Sequence, residues 1–237
     1  YDLRAMSPDG RDRVVQCFPG MIALYDIARD GRVLLARSQT QVGIRGRRAS
    51  ADAEIELGWQ DYPYIGDISP DGRTLLFSET GAGGGRFYST YLRDMGGSPP
   101  VRIGEGSAES LSPDGKRVLT THIAAPHRLV VLPVGVGDST SLPRGGMEKY
   151  AAAKWLPDGK GVVFFGAGAG IPWRTYLQDV NGGLPRPITP EGVDATCVSP
   201  DGRFVAGAVE HRLTIFPTSG GPTRTLADLL PGEQVAC

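Results

Sequence analysis

The chain has 237 residues, and its 25 Lys and Arg residues almost balance its 26 Asp and Glu residues, so that the formal net charge is −1. This balance argues against a nucleic-acid or anionic-membrane partner that is held mainly by electrostatic attraction. A hydrophobic content of 40% is enough for a packed core, whereas 34 Gly and 19 Pro residues interrupt the chain too often for a helical bundle.

Cysteines and apolar segments exclude several further classes of protein. The three cysteines (Cys17, Cys197 and Cys237) are too few and too scattered for a disulfide scaffold or a Cys-based zinc site. No apolar run is long enough to cross a bilayer, and the N-terminus has no basic segment followed by an apolar one. We therefore expect no membrane insertion by this chain, and its composition leaves the compartment open.

A four-residue motif recurs along the chain at a nearly constant spacing. Its full copies are Ser69-Pro70-Asp71-Gly72, Ser112-Pro113-Asp114-Gly115, Leu156-Pro157-Asp158-Gly159 and Ser199-Pro200-Asp201-Gly202. Their Asp residues are 43, 44 and 43 positions apart, and a degenerate copy, Ala28-Arg29-Asp30-Gly31, lies 41 positions before Asp71. A period of about 40–45 residues is typical of the four-stranded blade of a β-propeller.

The chemistry of this tetrad is that of a hairpin turn. Pro presets φ for the second residue of a type I turn, Asp suits the third residue, and Gly accepts the left-handed conformation that follows. Each copy precedes a short apolar run, such as Thr74-Leu75-Leu76-Phe77 or Val162-Val163-Phe164-Phe165. Continuous apolar runs of this length are typical of strands that are buried on both faces. The tetrads therefore predict turns between the first and second strands of successive blades.

The repeat predicts the fold class as all-β, a single β-propeller domain over residues 1–237 with four-stranded antiparallel blades. Five complete blades are expected, at 20–63, 64–106, 107–149, 150–193 and 194–228. Ser7-Pro8-Asp9-Gly10 lies only half a period before Asp30, so we assign it to a partial blade at 1–19, with a fourth strand from Asp12 to Phe18. A second partial piece at 229–237 would hold a last strand around Gln234 to Cys237. We expect a fragment of a propeller that has six or more blades when intact.

These motifs also carry a family resemblance. The repeated tetrad, followed by an apolar strand and an Asp-x-x-Gly-Gly or Pro-containing turn, resembles the TolB-like, WD-repeat-like propellers of bacteria. The segments 26–35 and 185–192 resemble, more narrowly, propellers attached to bacterial serine/threonine kinases. The resemblance implies a periplasmic or extracytoplasmic location. Kinase catalytic motifs do not occur in the sequence, so a kinase domain would lie outside this chain.

The candidates for catalysis and metal binding have simpler explanations. His127 and His211 occupy equivalent positions on different blades and, with His122, are not expected to share a metal ion. The sequence has no Gly-x-Ser-x-Gly elbow, and neither Gly-rich stretch, at 81–85 or 166–170, continues as a phosphate-binding loop. Each tetrad offers a single Asp, which is too few carboxylates for a calcium loop. We therefore expect no catalytic residue, metal or cofactor in this chain.

What remains is recognition at the surface. The leading hypothesis is a non-enzymatic binding or sensor module, the propeller part of a bacterial serine/threonine kinase. The alternatives are the substrate-gating propeller of a prolyl-oligopeptidase-like peptidase and a stand-alone TolB-like periplasmic scaffold. The expected partner is a protein or peptide, or a small ligand at the mouth of the channel, and not a nucleic acid.

The loops opposite the tetrad turns differ most between blades, so we place recognition there. The predicted binding residues are Tyr62, Tyr64, Asp67, His122 and Tyr150. Trp59 and Trp173 lie in the same set of loops, but we expect them to pack between blades, because bulky residues prefer burial. The residues four positions before each tetrad Asp are expected to approach the central channel; they are Asp26, Asp67, Ser110, Lys154 and Cys197.

Overall fold

The computed structural model describes residues 2–17, 21–38, 41–49, 51–60, 62–80, 84–85, 87–230, 233 and 235. Its contacts divide the chain into two compact units, residues 1–42 and 43–237, where the repeat predicts a single domain. No helix in the described ranges is long and apolar enough to cross a membrane. The described elements are all strands, as the repeat predicts.

The first unit consists of two antiparallel hairpins, one formed by β1 (Asp2–Met6) and β2 (Asp12–Cys17), the other by β3 (Met21–Ile27) and β4 (Val33–Ser38). Their side chains are largely exposed, including Met6, Tyr25 and Leu34 at 75%, 70% and 62% of their surface. The turn at Ser7–Gly10 joins β1 to β2, as predicted for the partial blade at 1–19, and β2 begins at Asp12 as expected.

The second unit contains a short hairpin and four four-stranded antiparallel sheets. The short hairpin pairs β5 (Arg45–Gly46) with β6 (Ile55–Glu56). The first sheet has β7 (Tyr62–Ile68), β8 (Thr74–Thr80), β9 (Ser89–Asp94) and β10 (Val101–Glu105). The second has β11 (Ser107–Leu111), β12 (Arg117–His122), β13 (Arg128–Pro133) and β14 (Thr140–Ser141). The third has β15 (Met147–Trp155), β16 (Gly161–Gly168), β17 (Ile171–Asp179) and β18 (Arg186–Pro187). The fourth has β19 (Cys197–Val198), β20 (Phe204–Val209), β21 (Arg212–Pro217) and β22 (Arg224–Asp228).

The segment predicted as the blade 20–63 differs from the expectation. It forms two separate two-stranded sheets, β3–β4 and β5–β6, instead of one sheet of four strands. Packing explains the difference within the second unit, because Ile44, Ile55 and Leu57 around β5–β6 join the core of the first sheet at Phe77 and Tyr91. Within the described residues, four sheets are therefore complete where five blades were predicted. The expected terminal strand around Gln234 to Cys237 falls mostly outside these residues.

The tetrad turns share one geometry, which sets the orientation of every sheet. In the turn between β7 and β8, the Gly72 N–H donates to the Ser69 carbonyl at 2.8 Å, and Gly72 has φ of +67°. The Asp71 carboxylate accepts the Ser69 hydroxyl at 2.7 Å and the Arg73 N–H at 3.0 Å. Asp114, Asp158 and Asp201 occupy equivalent turns, so the predicted hairpins are confirmed.

Neighbouring sheets are joined through their first and second strands by packing and by side-chain hydrogen bonds. The Ser78 hydroxyl accepts the Ala108 N–H at 2.6 Å, and the Ser110 hydroxyl accepts the Trp155 N–H at 3.2 Å. Between the second and third sheets, a buried cluster includes Leu119, Trp155 and Phe164. These contacts join the first strand of one sheet to the first two strands of its neighbour.

Candidate functional site

The two ends of the sheets carry different kinds of connection. The tetrad turns and the β9–β10, β13–β14 and β17–β18 turns lie at one end, which we call the tetrad end. The β8–β9, β10–β11 and β12–β13 connections lie at the other, which we call the loop end. This follows because successive antiparallel strands reverse direction. The predicted binding residues Tyr62 and His122 lie at the loop end, where β7 begins and β12 ends.

Aromatic side chains gather at the loop end of the first sheet. Tyr62 and Tyr64 are two positions apart on β7, so their side chains point to the same face of the strand. Tyr64 is 50% exposed, and its ring meets the ring of Tyr88 edge-on, with centroids 6.3 Å apart. Phe87, next to Tyr88, is 42% exposed. We call Tyr62, Tyr64, Phe87 and Tyr88 the aromatic surface.

His122 lies beside this surface, in a cavity between the first and second sheets. The cavity has a volume of about 110 Å³ and is lined by Tyr88, Glu105, His122 and Arg128, among others. Burial and, to a lesser extent, the Arg128 cation lower the pKa of His122, so the ring is neutral near pH 7. Through Tyr88, the structure thus brings together Tyr64 and His122, two of the residues predicted from sequence.

Asp67 has a structural function in addition to its predicted place near the channel. Its Oδ1 accepts the Ile68 N–H at 2.9 Å, and its Oδ2 accepts the Leu111 N–H at 3.0 Å, which joins β7 to β11. The Lys154 ammonium lies 3.9 Å from Oδ1. Because the carboxylate is already occupied by backbone donors of two strands, we assign Asp67 to holding the first strands together.

Tyr150 is not at the surface. Only 8% of the residue is exposed, and its ring packs against the ring of Phe164 with centroids 5.0 Å apart. Burial raises the pKa of Tyr150 to about 12, so its hydroxyl stays protonated. The repeat placed Tyr150 in a loop, whereas it lies within β15, on which Met147, Tyr150, Ala153 and Trp155 are buried. A partner at the loop end would not reach this ring.

The two tryptophans have different surroundings. Trp59 is 48% exposed, which leaves it accessible at the surface, while Trp173 is partly buried and packs against Phe165 with ring centroids 4.9 Å apart. The backbone N–H groups of Trp59 and Gln60 both donate to Oε1 of the fully buried Glu79, at 3.2 and 2.8 Å. This carboxylate anchors the segment that leads into Tyr62.

Three of the five residues that are predicted to approach the channel are connected to one another. Asp67, Ser110 and Lys154 lie on neighbouring first strands and are joined by the contacts given above. Asp26 belongs to the first unit, and Cys197 is disulfide-bonded. Within the described ranges, no three His, Cys, Asp or Glu side chains are placed to hold a metal ion.

Two larger clefts lie at the tetrad end, with volumes of about 440 and 400 Å³. The larger is lined by Arg117, Asp138 and Asn181 between the second and third sheets. The Arg117 cation of this cleft already has partners within the protein. Its guanidinium lies 4.6 Å from the centre of the Trp155 ring and donates to the Gly159 carbonyl at 3.0 Å. Recognition at the loop end therefore stays a prediction, and these clefts are the sites against which to test it.

Sequence reasoning missed Phe87, Tyr88 and Arg128. Phe87 and Tyr88 follow the Gly-rich stretch at 81–85, which was considered only as a phosphate-binding loop, and Arg128 begins β13. Each of these three residues lies in the β8–β9 or β12–β13 connection or at its edge. These connections lie at the loop end, where Tyr64 and His122 also lie. The position within the repeat could therefore have identified all three, if it had been considered for every aromatic and charged residue.

Comparison with known proteins supports the fold. No protein-family model matches the sequence, and no curated protein matches it significantly. Among solved structures, the chain is similar to TolB from Acinetobacter baumannii, with a TM-score of 0.60 and 22% identity over 94% of this chain and 61% of that one. It is also similar to the putative TolB from Agrobacterium tumefaciens, with a TM-score of 0.62 and 21% identity over 92% and 85% of the two chains.

A protease propeller is also among the similar structures. The β-propeller domain of the trilobed protease from Pyrococcus furiosus has a TM-score of 0.52 and 13% identity over 71% of this chain and 59% of that one. The chain thus spans about three fifths of the Acinetobacter protein and of the protease propeller. At these identities the likeness establishes the β-propeller fold and carries no activity with it.

Proposed function

We propose that this chain is a non-enzymatic binding module that recognises a protein or peptide through the aromatic surface at its loop end. The observation that carries the proposal is the exposure of Tyr64 and Phe87, at 50% and 42%, beside Tyr88. Large aromatic side chains on a rigid scaffold are common anchors of interfaces, because they bury much area at little cost in conformational entropy. Tyr62 extends the same face of β7.

The scaffold beneath this surface favours a preformed site. Tyr88 is tied to the next sheet because its carbonyl accepts the Gly106 N–H at 2.9 Å. The buried Thr90 hydroxyl donates to the Gly106 carbonyl at 2.8 Å, so both backbone groups of Gly106 are bonded to the β8–β9 side of the first sheet. A surface held in this way loses little freedom when a partner binds.

The test is a double substitution, Tyr62→Ala/Tyr64→Ala, compared with wild type in capture of partners from the source cells and then in calorimetry with an identified partner. If these are hot-spot residues, affinity falls by about 2 kcal/mol or more, or roughly 30-fold. The matched control is Val136→Ala/Leu184→Ala, which removes exposed apolar side chains at the tetrad end. We expect the control to bind as wild type does. The proposal is wrong if the tyrosine variant, with wild-type melting behaviour, also binds its partner with unchanged affinity.

We infer, from the family resemblance of segments 26–35 and 185–192, that the module serves as the sensor propeller of a bacterial serine/threonine kinase. A second candidate is a peptidase propeller, which the likeness to the trilobed protease propeller favours. A third is a TolB-like periplasmic scaffold, supported by the two TolB structures. The reading frame around the gene separates them: a kinase domain upstream supports the first, and an α/β-hydrolase domain downstream supports the second.

A further inference from the structure

The cavity beside the aromatic surface has the features of a small-molecule site in its own right. It opens at the loop end between the first and second sheets and has a volume of about 110 Å³. Phe87 and Tyr88 contribute aromatic side chains to its lining, Gly106 belongs to the connection between the two sheets, and His122 belongs to the second sheet. Apolar walls with a few polar groups are typical of ligand pockets.

The absence of a side chain at Gly106 leaves space for the His122 ring. Gly106 has φ of +109°, and a Cβ added there would lie 2.8 Å from Cδ2 of His122 and 3.1 Å from Cβ of Thr120. A side chain at this position would therefore push the imidazole away. The Nε2 atom of His122 is buried and has no hydrogen-bond partner. The neutral imidazole thus contributes mainly an uncharged surface to the cavity.

The charged groups of the cavity are of opposite sign and are not paired with each other. Glu105 and Arg128 are both exposed and both line it. Within the described part of the chain, neither side chain takes part in an ion pair. Besides burial, the Arg128 cation lowers the pKa of His122, and Glu105 opposes this through a backbone hydrogen bond and, to a lesser extent, its charge.

A carboxylate and a guanidinium that line one cavity without forming an ion pair with each other suit a ligand carrying both charges. An ammonium group would pair with Glu105, and a carboxylate would accept two N–H groups of Arg128. A ligand of one charge would satisfy one of them and meet repulsion from the other. The charge pattern therefore favours a zwitterion.

The volume limits the remainder of the ligand. A cavity of about 150 Å³ lined by apolar side chains holds a benzene molecule, so a cavity of 110 Å³ holds a smaller apolar group. We propose that this cavity binds a free α-amino acid with a small apolar side chain, its ammonium at Glu105, its carboxylate at Arg128 and its side chain against Phe87 and Tyr88. This site goes beyond the proposed recognition of a protein partner.

Calorimetry with the intact chain tests the assignment, using L-alanine, L-valine and L-proline as ligands. N-acetyl-L-alanine lacks the ammonium, and L-alaninamide lacks the carboxylate. We expect saturable binding of at least one free amino acid and at least tenfold weaker binding of the corresponding capped derivatives. Absence of binding with a Kd below about 1 mM, or equal binding of the capped forms, would overturn the proposal.

Variants locate the binding to this cavity. Glu105→Gln and Arg128→Gln should each weaken amino-acid binding at least tenfold, whereas Glu148→Gln, an exposed carboxylate at the loop end outside the cavity, should leave it unchanged. Binding that survives both cavity variants would place the ligand elsewhere and refute the assignment. The Tyr62→Ala/Tyr64→Ala variant retains every charge of the cavity, so loss of the protein partner and loss of the amino acid are separate outcomes.

Discussion

The same side-chain hydrogen bond recurs in the tetrad turns of three different sheets. The hydroxyls of Ser69, Ser112 and Ser199 each donate to the Asp two positions later, at 2.6–2.7 Å. These bonds lower the pKa of Asp71, Asp114 and Asp201, because they stabilise the charged carboxylate. The third sheet has Leu156 at the serine position, and its turn keeps the backbone bond from Gly159 at 2.9 Å. The serine therefore strengthens the turn without being required for it.

Gly115 tests the strain in these turns. Its φ is +68°, and a Cβ built on it would meet no atom within 4 Å, so a substitution meets conformational strain and no clash. Gly115→Val should lower the free energy of unfolding by about 1–3 kcal/mol. Gly115→Asn should cost less, since Asn adopts left-handed conformations more readily. Urea denaturation measures both, and equal stability of Gly115→Val and wild type would contradict the turn assignment.

Glu109 on β11 makes stability depend on pH. Burial raises its pKa to about 7, against the opposing effects of the Thr121 hydroxyl, the Ala153 backbone and the Lys154 cation. Below the ordinary value of 4.5 the carboxyl is protonated in both folded and unfolded states. Between 4.5 and about 7 the folded state binds the extra proton, so stability falls as pH rises through this window.

Glu109→Gln should remove that fall. A shift of about 2.5 units corresponds to roughly 3 kcal/mol, so the variant should gain stability over wild type above pH 7 and match it near pH 4. The difference between the two unfolding curves cancels the titration of the tetrad Asp residues, which both proteins share. A difference that does not change with pH would show that Glu109 keeps an ordinary pKa.

At the scale of elements, side-chain hydrogen bonds join one sheet to the next. The third and fourth sheets meet at Thr175, which is fully buried on β17. Its hydroxyl donates to the Val193 carbonyl at 3.0 Å and accepts the Ala195 N–H at 2.8 Å. The Thr189 hydroxyl also donates to Val193, at 3.1 Å, so only Ala195 depends entirely on Thr175.

Thr175→Val keeps the shape of this side chain and removes both bonds. Because it leaves the Ala195 N–H without its partner, we expect a loss of about 1–3 kcal/mol in the free energy of unfolding. Thr140→Val, an exposed threonine on β14, serves as the control and should change stability by less than about 0.5 kcal/mol. Thermal unfolding of wild type and of the two variants tests this expectation. Equal melting temperatures of the two variants would count against this junction.

For the whole molecule, the two units differ in how much apolar surface they bury. All side chains of β2 are exposed, whereas β12 and β16 are almost entirely buried. Since local opening is easier where few apolar contacts are lost, amides of β1–β4 should exchange with deuterium faster than those of β12 and β16. Native-state hydrogen exchange read by mass spectrometry gives the comparison. Equal protection in the two units would contradict the burial seen in the structure.

Prediction from sequence worked where the determinants are local. The Pro-Asp-Gly chemistry acts within four residues, so the turns at Asp71, Asp114, Asp158 and Asp201 could be located without any tertiary information. It failed for the segment 20–63, because the pairing of β5 and β6 rests on a core that includes Phe77 and Tyr91, distant in sequence. The tetrad alone does not encode that packing.

The sequence by itself determined the all-β class, the hairpin turns and the strand order within the sheets, because turn chemistry and apolar runs repeat with the period of one blade. Only the tertiary structure decided that Tyr150 is buried while Tyr64 is exposed, although both are tyrosines near the loop end. It also brought Tyr88, Glu105 and Arg128 around one cavity. The physical reason is that burial and the meeting of charges depend on how neighbouring sheets pack, and residues on different sheets share no local pattern.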